Sequence, residues 1–232
     1  MSDEAALLPK HVGYIVDGNR RWAKKHGLPV YEGHLAGYNA LKDIAIATLQ
    51  SGVKYISAYV FSTENWKRDS DEVRRLLSLV LRLVSSDVPM FNEYNVRLKV
   101  LGSRDGVSPK IIKAIEKAEL ATAGNTGGEF ALCFNYGGQL EIVEAVKKIV
   151  QSGVKAEDID EALIGQNIYA PEMPPVDLIV RTSGEQRLSN FMLWRSAYSE
   201  LLFLDKPWPD MTNDDVAAIM KEYSRRQRRF GG

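Results

Sequence analysis

Short apolar runs alternate with longer stretches of helical periodicity along almost the whole chain. Runs over 11–16, 55–62, 96–101, 129–135, 177–181 and 201–204 read as strands. Between them, helical patterns cover 33–51, 70–94, 109–122, 139–151, 156–168 and 191–198, and a closing helix spans about 212–230. This alternation predicts an α/β fold with a mostly parallel sheet flanked by helices. No internal repeat, low-complexity tract or linker interrupts it, so one domain over residues 1–232 is expected.

The stretch 70–94 is apolar on more than one side. Val73, Leu76, Leu77, Val80, Leu81 and Val84 form one stripe, which Leu79 and Leu83 widen. Such a helix is either buried in a core or shared between the sheet and an elongated apolar cavity. As one helix its twenty-five or so residues make a wall roughly 37 Å long.

Composition narrows the classes. Hydrophobic residues at 45% and charged residues at 26% suit a folded chain with a sizeable core. Lys and Arg balance Asp and Glu at 30 each, so no global field recruits nucleic acid and an anion site must be built locally. The single cysteine, Cys133, excludes an internal disulfide and fits a reducing, cytoplasmic setting. The first ten residues do not read as a secretory signal, and no run of about twenty apolar residues is present.

Polar and glycine residues follow four of the strands, where parallel sheets collect ligands. At the first, an apolar run ends in Asp17-Gly18-Asn19 and enters a cationic helix with Arg20 and Arg21. Free N–H groups and forked guanidinium donors at one spot favour phosphate oxygens. An acid among them makes sense where a divalent cation bridges carboxylate and phosphate. Residues 61–68 add Ser62, Asn65 and Arg68, alternatively a mere helix start. The third place, 135–138, is Asn135-Tyr136-Gly137-Gly138. At the fourth, residues 181–190 supply Arg181, Arg187 and Ser189, enough to grip a second anion. His34 and Glu200 are read either as ligands or as structural groups. No G-x-G-x-x-G, G-x-x-x-x-G-K-[ST] or G-x-S-x-G occurs, and three histidines with one cysteine make no zinc site.

In combination these segments resemble the cis-prenyltransferase family, best known from undecaprenyl diphosphate synthase. The likeness rests on residues 17–23, 33–37, 61–66, 135–138, 177–185 and 228–232, in family order. It implies condensation of isopentenyl diphosphate onto an allylic diphosphate with a new cis double bond. It further implies Mg²⁺, a homodimer, a six-stranded parallel sheet and a hydrophobic tunnel. Asp17 is then the essential acid and, with Glu200, a metal ligand, while Asn65 is the proton acceptor. Gly18, Asn19, Arg20, Arg21, Trp22 and His34 are implied to hold the allylic diphosphate. Ser62, Thr63, Glu64, Trp66 and Arg68 shape the substrate site. Arg181, Arg187, Leu188 and Ser189 hold isopentenyl diphosphate, and Arg229-Phe230-Gly231 reaches the partner's site. The long helix then reads as a tunnel wall.

The chain departs from the family pattern at Val30, where bacterial members often carry an arginine, and at Gln186, where some carry histidine. Val60 and Phe134 are bulkier than the residues that some long-chain members place near the tunnel, which predicts a shorter product or an altered primer. A non-catalytic partner subunit is the competing reading, but such relatives usually lose the acid and loop residues present here. A phosphate-binding protein without turnover is a second. The Arg225–Arg229 cluster offers peripheral contact with an anionic membrane surface, a solvated helix end or a dimer contact.

Overall fold

β1 (His11–Ile15) is buried at every position, as a central parallel strand covered on both faces must be. Around it lie β2 (Tyr55–Ser62), β3 (Val96–Leu101), β4 (Gly128–Tyr136), β5 (Leu178–Arg181) and β6 (Glu200–Phe203). The computed structural model describes residues 8–226, whose strands form one sheet in the order β3-β4-β2-β1-β5-β6. Every pairing is parallel. After β2, β3 and β4 are laid on one side of β1, the chain returns to place β5 on the other. That reversal opens a crevice beyond the carboxyl ends of β1, β2 and β5.

The crossovers are helical: α1 (Asn19–Lys25) and α2 (Val30–Gln50), then α3 (Ser70–Leu83) and α4 (Val88–Glu93), then α5 (Pro109–Thr122). Next come α6 (Gly138–Gln151) and α7 (Glu161–Asn167), with α8 (Asn213–Arg225) at the end. Tyr14, Ile44, Phe61, Leu83, Ile115 and Ile219 belong to the larger core that joins one sheet face to these helices. Alternate strand residues face the other way. There Tyr59, Cys133, Tyr136 and Phe191 form a smaller core.

Three helical expectations are corrected. The 70–94 helix breaks after Leu83, and a turn at 85–87 leads into α4. Pro89 lacks an N–H and its ring clashes with the preceding turn, so it fits only a first turn. The wall is therefore α3 alone, about 21 Å. Its start is fixed by Asp69, whose carboxylate accepts the Asp71 N–H at 2.9 Å.

No helix forms over 191–198, because Asn190 and Met192 adopt positive φ of 66° and 48°. Tertiary packing overrides the pattern: Phe191 is buried and stacks on Tyr59 at 4.9 Å. The 156–168 pattern splits at Asp160, which caps α7 through the Leu163 N–H. The closing helix ends at Arg225, and residues 227–230 of the expected span, with the 229–231 segment, lie outside the described residues. Of the arginine cluster, Arg225 pairs with Glu222, and Arg226 pairs with Glu222 and Glu200. Among the described residues no helix is long and apolar enough to cross a membrane.

Candidate active site

The β1 chain turns sharply at Asp17 and Gly18. Gly18 has φ 106°, and a side chain there would lie 2.3 Å from Ser183 Oγ and 2.9 Å from Pro207. Thr182 locks the turn, accepting the Asp17 N–H at 3.1 Å and donating to the Asp17 carbonyl at 2.7 Å. The Asp17 carboxylate accepts from the Gly18 N–H at 2.7 Å and from Arg181 Nη2 at 3.0 Å, with Arg21 at 3.2 Å. Burial pushes this carboxyl up, but Arg181, Arg21 and the Gly18 N–H outweigh it and hold it below its ordinary range. Asp17 is thus a fixed anion.

Arg181 ends β5 and is almost wholly buried. Its Nη1 donates to the Arg187 carbonyl and, at 2.8 Å, to Ser189 Oγ. This cation therefore shapes the loop that follows it. Arg187 is exposed and pairs with Glu185, which also binds Arg21 at 3.0 Å. Leu188 packs on the smaller core, and Ser189 has φ 49°.

Asn19 sits where α2 crosses α1. A Cβ at Gly33 would meet the Asn19 carbonyl oxygen at 2.1 Å, and one at Gly37 would meet Asn19 Oδ1 at 2.3 Å. Glycine at both positions permits this approach. Asn19 Oδ1 is buried without a hydrogen-bond partner.

After β2, Ser62 and Asn65 form a capping box: the Ser62 side chain takes the Asn65 N–H, and Asn65 Oδ1 accepts the Ser62 N–H at 3.1 Å. Glu64 accepts from Asn190 at 3.2 Å, and Trp66 donates to Asn135 at 2.8 Å. Glu72, on the first turn of α3, accepts from Arg68 at 2.8 Å and His34 Nε2 at 3.2 Å, with Arg20 at 4.0 Å. Burial lowers the His34 pKa and Glu72 only partly restores it, so the imidazole is neutral at pH 7.

The structure brings most of the expected residues together. Asp17, Asn19, His34, Ser62, Glu64, Asn65, Arg68, Arg181, Arg187 and Ser189 line one crevice of about 610 Å³. Gly18, Arg20 and Arg21 line its continuation. An apolar slot leads off past Val16, His34 and Leu76 between α2 and α3. Trp22 instead packs beside His26 and donates to Asp210 at 2.6 Å, and Thr63 lies against Gly137. Trp66 supports the loop from the Phe61 side.

Within one chain Glu200 lies apart from Asp17. It opens β6, pairs with Arg226 at 3.0 Å and aligns with Leu178. That is three residues before the level of Arg181 and two strands from β1, a backbone separation of roughly 14 Å from Ile15, two residues short of Asp17. Among the described residues no cluster of three or more His, Cys, Asp or Glu forms a ready metal site. Glu72 and Asn190 were not singled out as site residues by the sequence, although Arg68 and Glu72 at i,i+4 signal the former.

A parallel α/β sheet whose carboxyl edge carries Asp17 among five arginines and opens into an apolar slot is built for a ligand with an anionic head and a greasy tail. Residues 15–231 match the family model described as putative undecaprenyl diphosphate synthase. The isoprenyl transferase of Thermotoga maritima is 44% identical over 228 residues, 97% of each chain. Isoprenyl transferase 1 of Tropheryma whipplei is 45% identical over 228 residues, 97% of this chain and 92% of that one. Lavandulyl diphosphate synthase from Lavandula x intermedia, solved with dimethylallyl diphosphate, superposes with a TM-score of 0.93 at 35% identity, covering 97% and 99%. A probable undecaprenyl diphosphate synthase from Campylobacter jejuni gives 0.82 at 28% identity, with the same coverage. The chain belongs to the cis-prenyltransferase family and is a prenyl-transferring enzyme.

Proposed function

We propose that this enzyme joins isopentenyl diphosphate to an allylic diphosphate, using Mg²⁺, and works as a homodimer. The observation that carries the reading is the Asp17 carboxylate clasped by Arg181 and Arg21 at the mouth of an apolar slot. The allylic head lies against Arg20, Arg21, Arg68 and the α1 turn, and its tail enters the slot. Isopentenyl diphosphate lies against Arg181, Arg187 and Ser189.

The donor set fits a hard cation. Asp17 Oδ1 and the unpartnered Asn19 Oδ1 are oxygen donors beside the phosphate-binding arginines. Magnesium takes one or two such groups together with phosphates and water. Bound there, Mg²⁺ neutralises charge on the departing diphosphate.

When the allylic C–O bond breaks, its electron pair goes to the diphosphate, whose growing charge meets fixed guanidinium groups. The double bond of isopentenyl diphosphate supplies the pair for the new C–C bond, and a proton then leaves the adjacent carbon. Asn65 lines this crevice, but its Oδ1 takes that proton only by giving up the Ser62 N–H. The diphosphate oxygens are the stronger base, so Asn65 acts chiefly in placing the substrate. Apolar walls keep water from the cation.

Exposed Val143, Val146 and Val150 on α6, with Tyr198 and Leu201 near the open β6 edge, support a second copy. Labelled isopentenyl diphosphate offered with allylic primers of several lengths, with Mg²⁺ and with chelator, tests the whole reading. Incorporation that depends on Mg²⁺ is expected. No incorporation with any primer overturns it in favour of a non-catalytic partner role, and sedimentation as a monomer overturns the dimer.

A further inference from the structure

The apolar slot is short. It is lined on α2 by His34, Tyr38 and Leu41, and on α3 by Leu76, Leu79, Val80 and Leu83. Its free volume is about 60 Å³. A single water needs about 10–15 Å³ on this scale, so the slot holds roughly one five-carbon unit beyond the head.

One side chain crosses the gap between the two helices. Tyr38 projects from α2, lines the slot, and donates its hydroxyl hydrogen to Asp87 in the turn beyond α3. Lys42 Nζ lies 3.4 Å from the same carboxylate and 4.7 Å from the Tyr38 ring centre, and Arg82 Cζ lies 5.3 Å from that centre. The phenol is thereby fixed at its tip by an anion and at its ring by two cations. An unclamped aromatic ring swings aside for a growing chain; this one must break a charge-assisted bond first. Lys42 also lines an open groove with Ile46, Met90 and Tyr94, so the clamp lies between the slot and that groove.

We propose that Tyr38, held by Asp87, is the floor of the slot and sets where chain growth stops, which makes the enzyme a short-chain synthase. This rests on the function proposed above and adds the residue that sets product length. Val60 and Leu132 narrow the same slot from the sheet side, but neither bears a polar clamp.

The test compares wild type, Tyr38→Phe, Tyr38→Ala and Asp87→Ala, each given dimethylallyl diphosphate, labelled isopentenyl diphosphate and Mg²⁺, with products sized by chromatography. Short products are expected from wild type. Tyr38→Ala and Asp87→Ala should lengthen them by at least one five-carbon unit, and Tyr38→Phe should shift them less. Should Tyr38→Ala fail to fold, Asp87→Ala decides, because it leaves the ring in place and removes the carboxylate that anchors it. A wild-type product distribution from the active variants overturns the proposal. Wild-type chains of about undecaprenyl length also overturn it. A wild type that incorporates no label with this or any longer allylic primer defeats the reading of the reaction itself, an outcome distinct from unchanged lengths.

Discussion

Arg181 Nη2 lies 3.0 Å from Asp17 Oδ2, although 164 residues separate the two in the chain. The pairing of β1 with β5, with Ile15 opposite Arg181, creates this contact. It lets one buried cation fix the acid and, through its other nitrogen, fix the Arg187–Ser189 loop.

Replacing Asp17 with Ala should lower turnover by about 10²–10³-fold or more, the usual cost of removing a fixed electrostatic group. Substrate binding should largely survive, because the arginines remain. Label incorporation and direct binding of isopentenyl diphosphate separate the two effects. The depressed Asp17 pKa also means that its ion pairing stabilises the fold fully above about pH 4, and that this is lost as pH falls through the lower folded value.

His11 should make stability pH-dependent at a higher range. Its Nδ1–H donates to the Pro174 carbonyl at 2.9 Å and its Nε2 accepts from Ser57 at 2.8 Å, the pattern of a neutral ring. Complete burial pushes its pKa down to about 4. The unfolded chain therefore binds the extra proton first, and stability should fall by about 3 kcal/mol as pH drops from about 6.5 to 4. Urea unfolding of wild type and His11→Gln across this window should show a flatter slope in the variant.

Glu141 and Arg195 form a buried ion pair at 2.9 Å, and Glu141 also accepts the Tyr136 hydroxyl at 2.5 Å. Arg195→Met should cost about 3–5 kcal/mol, because it strands a buried carboxylate. Adding Glu141→Gln should recover part of that loss. Denaturant midpoints of both variants check this.

Gly33→Ala should be worse than Gly37→Ala. The first drives a methyl into the Asn19 backbone carbonyl, the second into the tip of its amide side chain. Overpacking of about 1–3 kcal/mol and a raised KM for the allylic substrate are expected for Gly33→Ala. For Gly37→Ala the KM effect should come with little change in Tm.

The strand pattern was legible because buried parallel strands read as apolar runs that stop at turn residues, and the crevice follows from where they stop. Arg181 and Ser189 were legible for the same reason. Pro89 was an available signal against one long helix, yet the strong apolar stripe across 73–84 masked it. The 191–198 segment was not legible, since its conformation depends on Tyr59 and on Glu141, which holds Arg195, far away in sequence. The level of Glu200 in the sheet was not legible, because a strand's first residue and its last face opposite edges of the sheet, and only register tells them apart.

Cys133, sealed inside β4, turns the molecule into its own opening gauge. A thiol reagent reaches this sulfur only when the sheet itself parts, so labelling kinetics report global rather than peripheral motion. Substrates that tighten the crevice should slow that labelling by a factor of about 1 + [L]/Kd, with [L] the free substrate concentration.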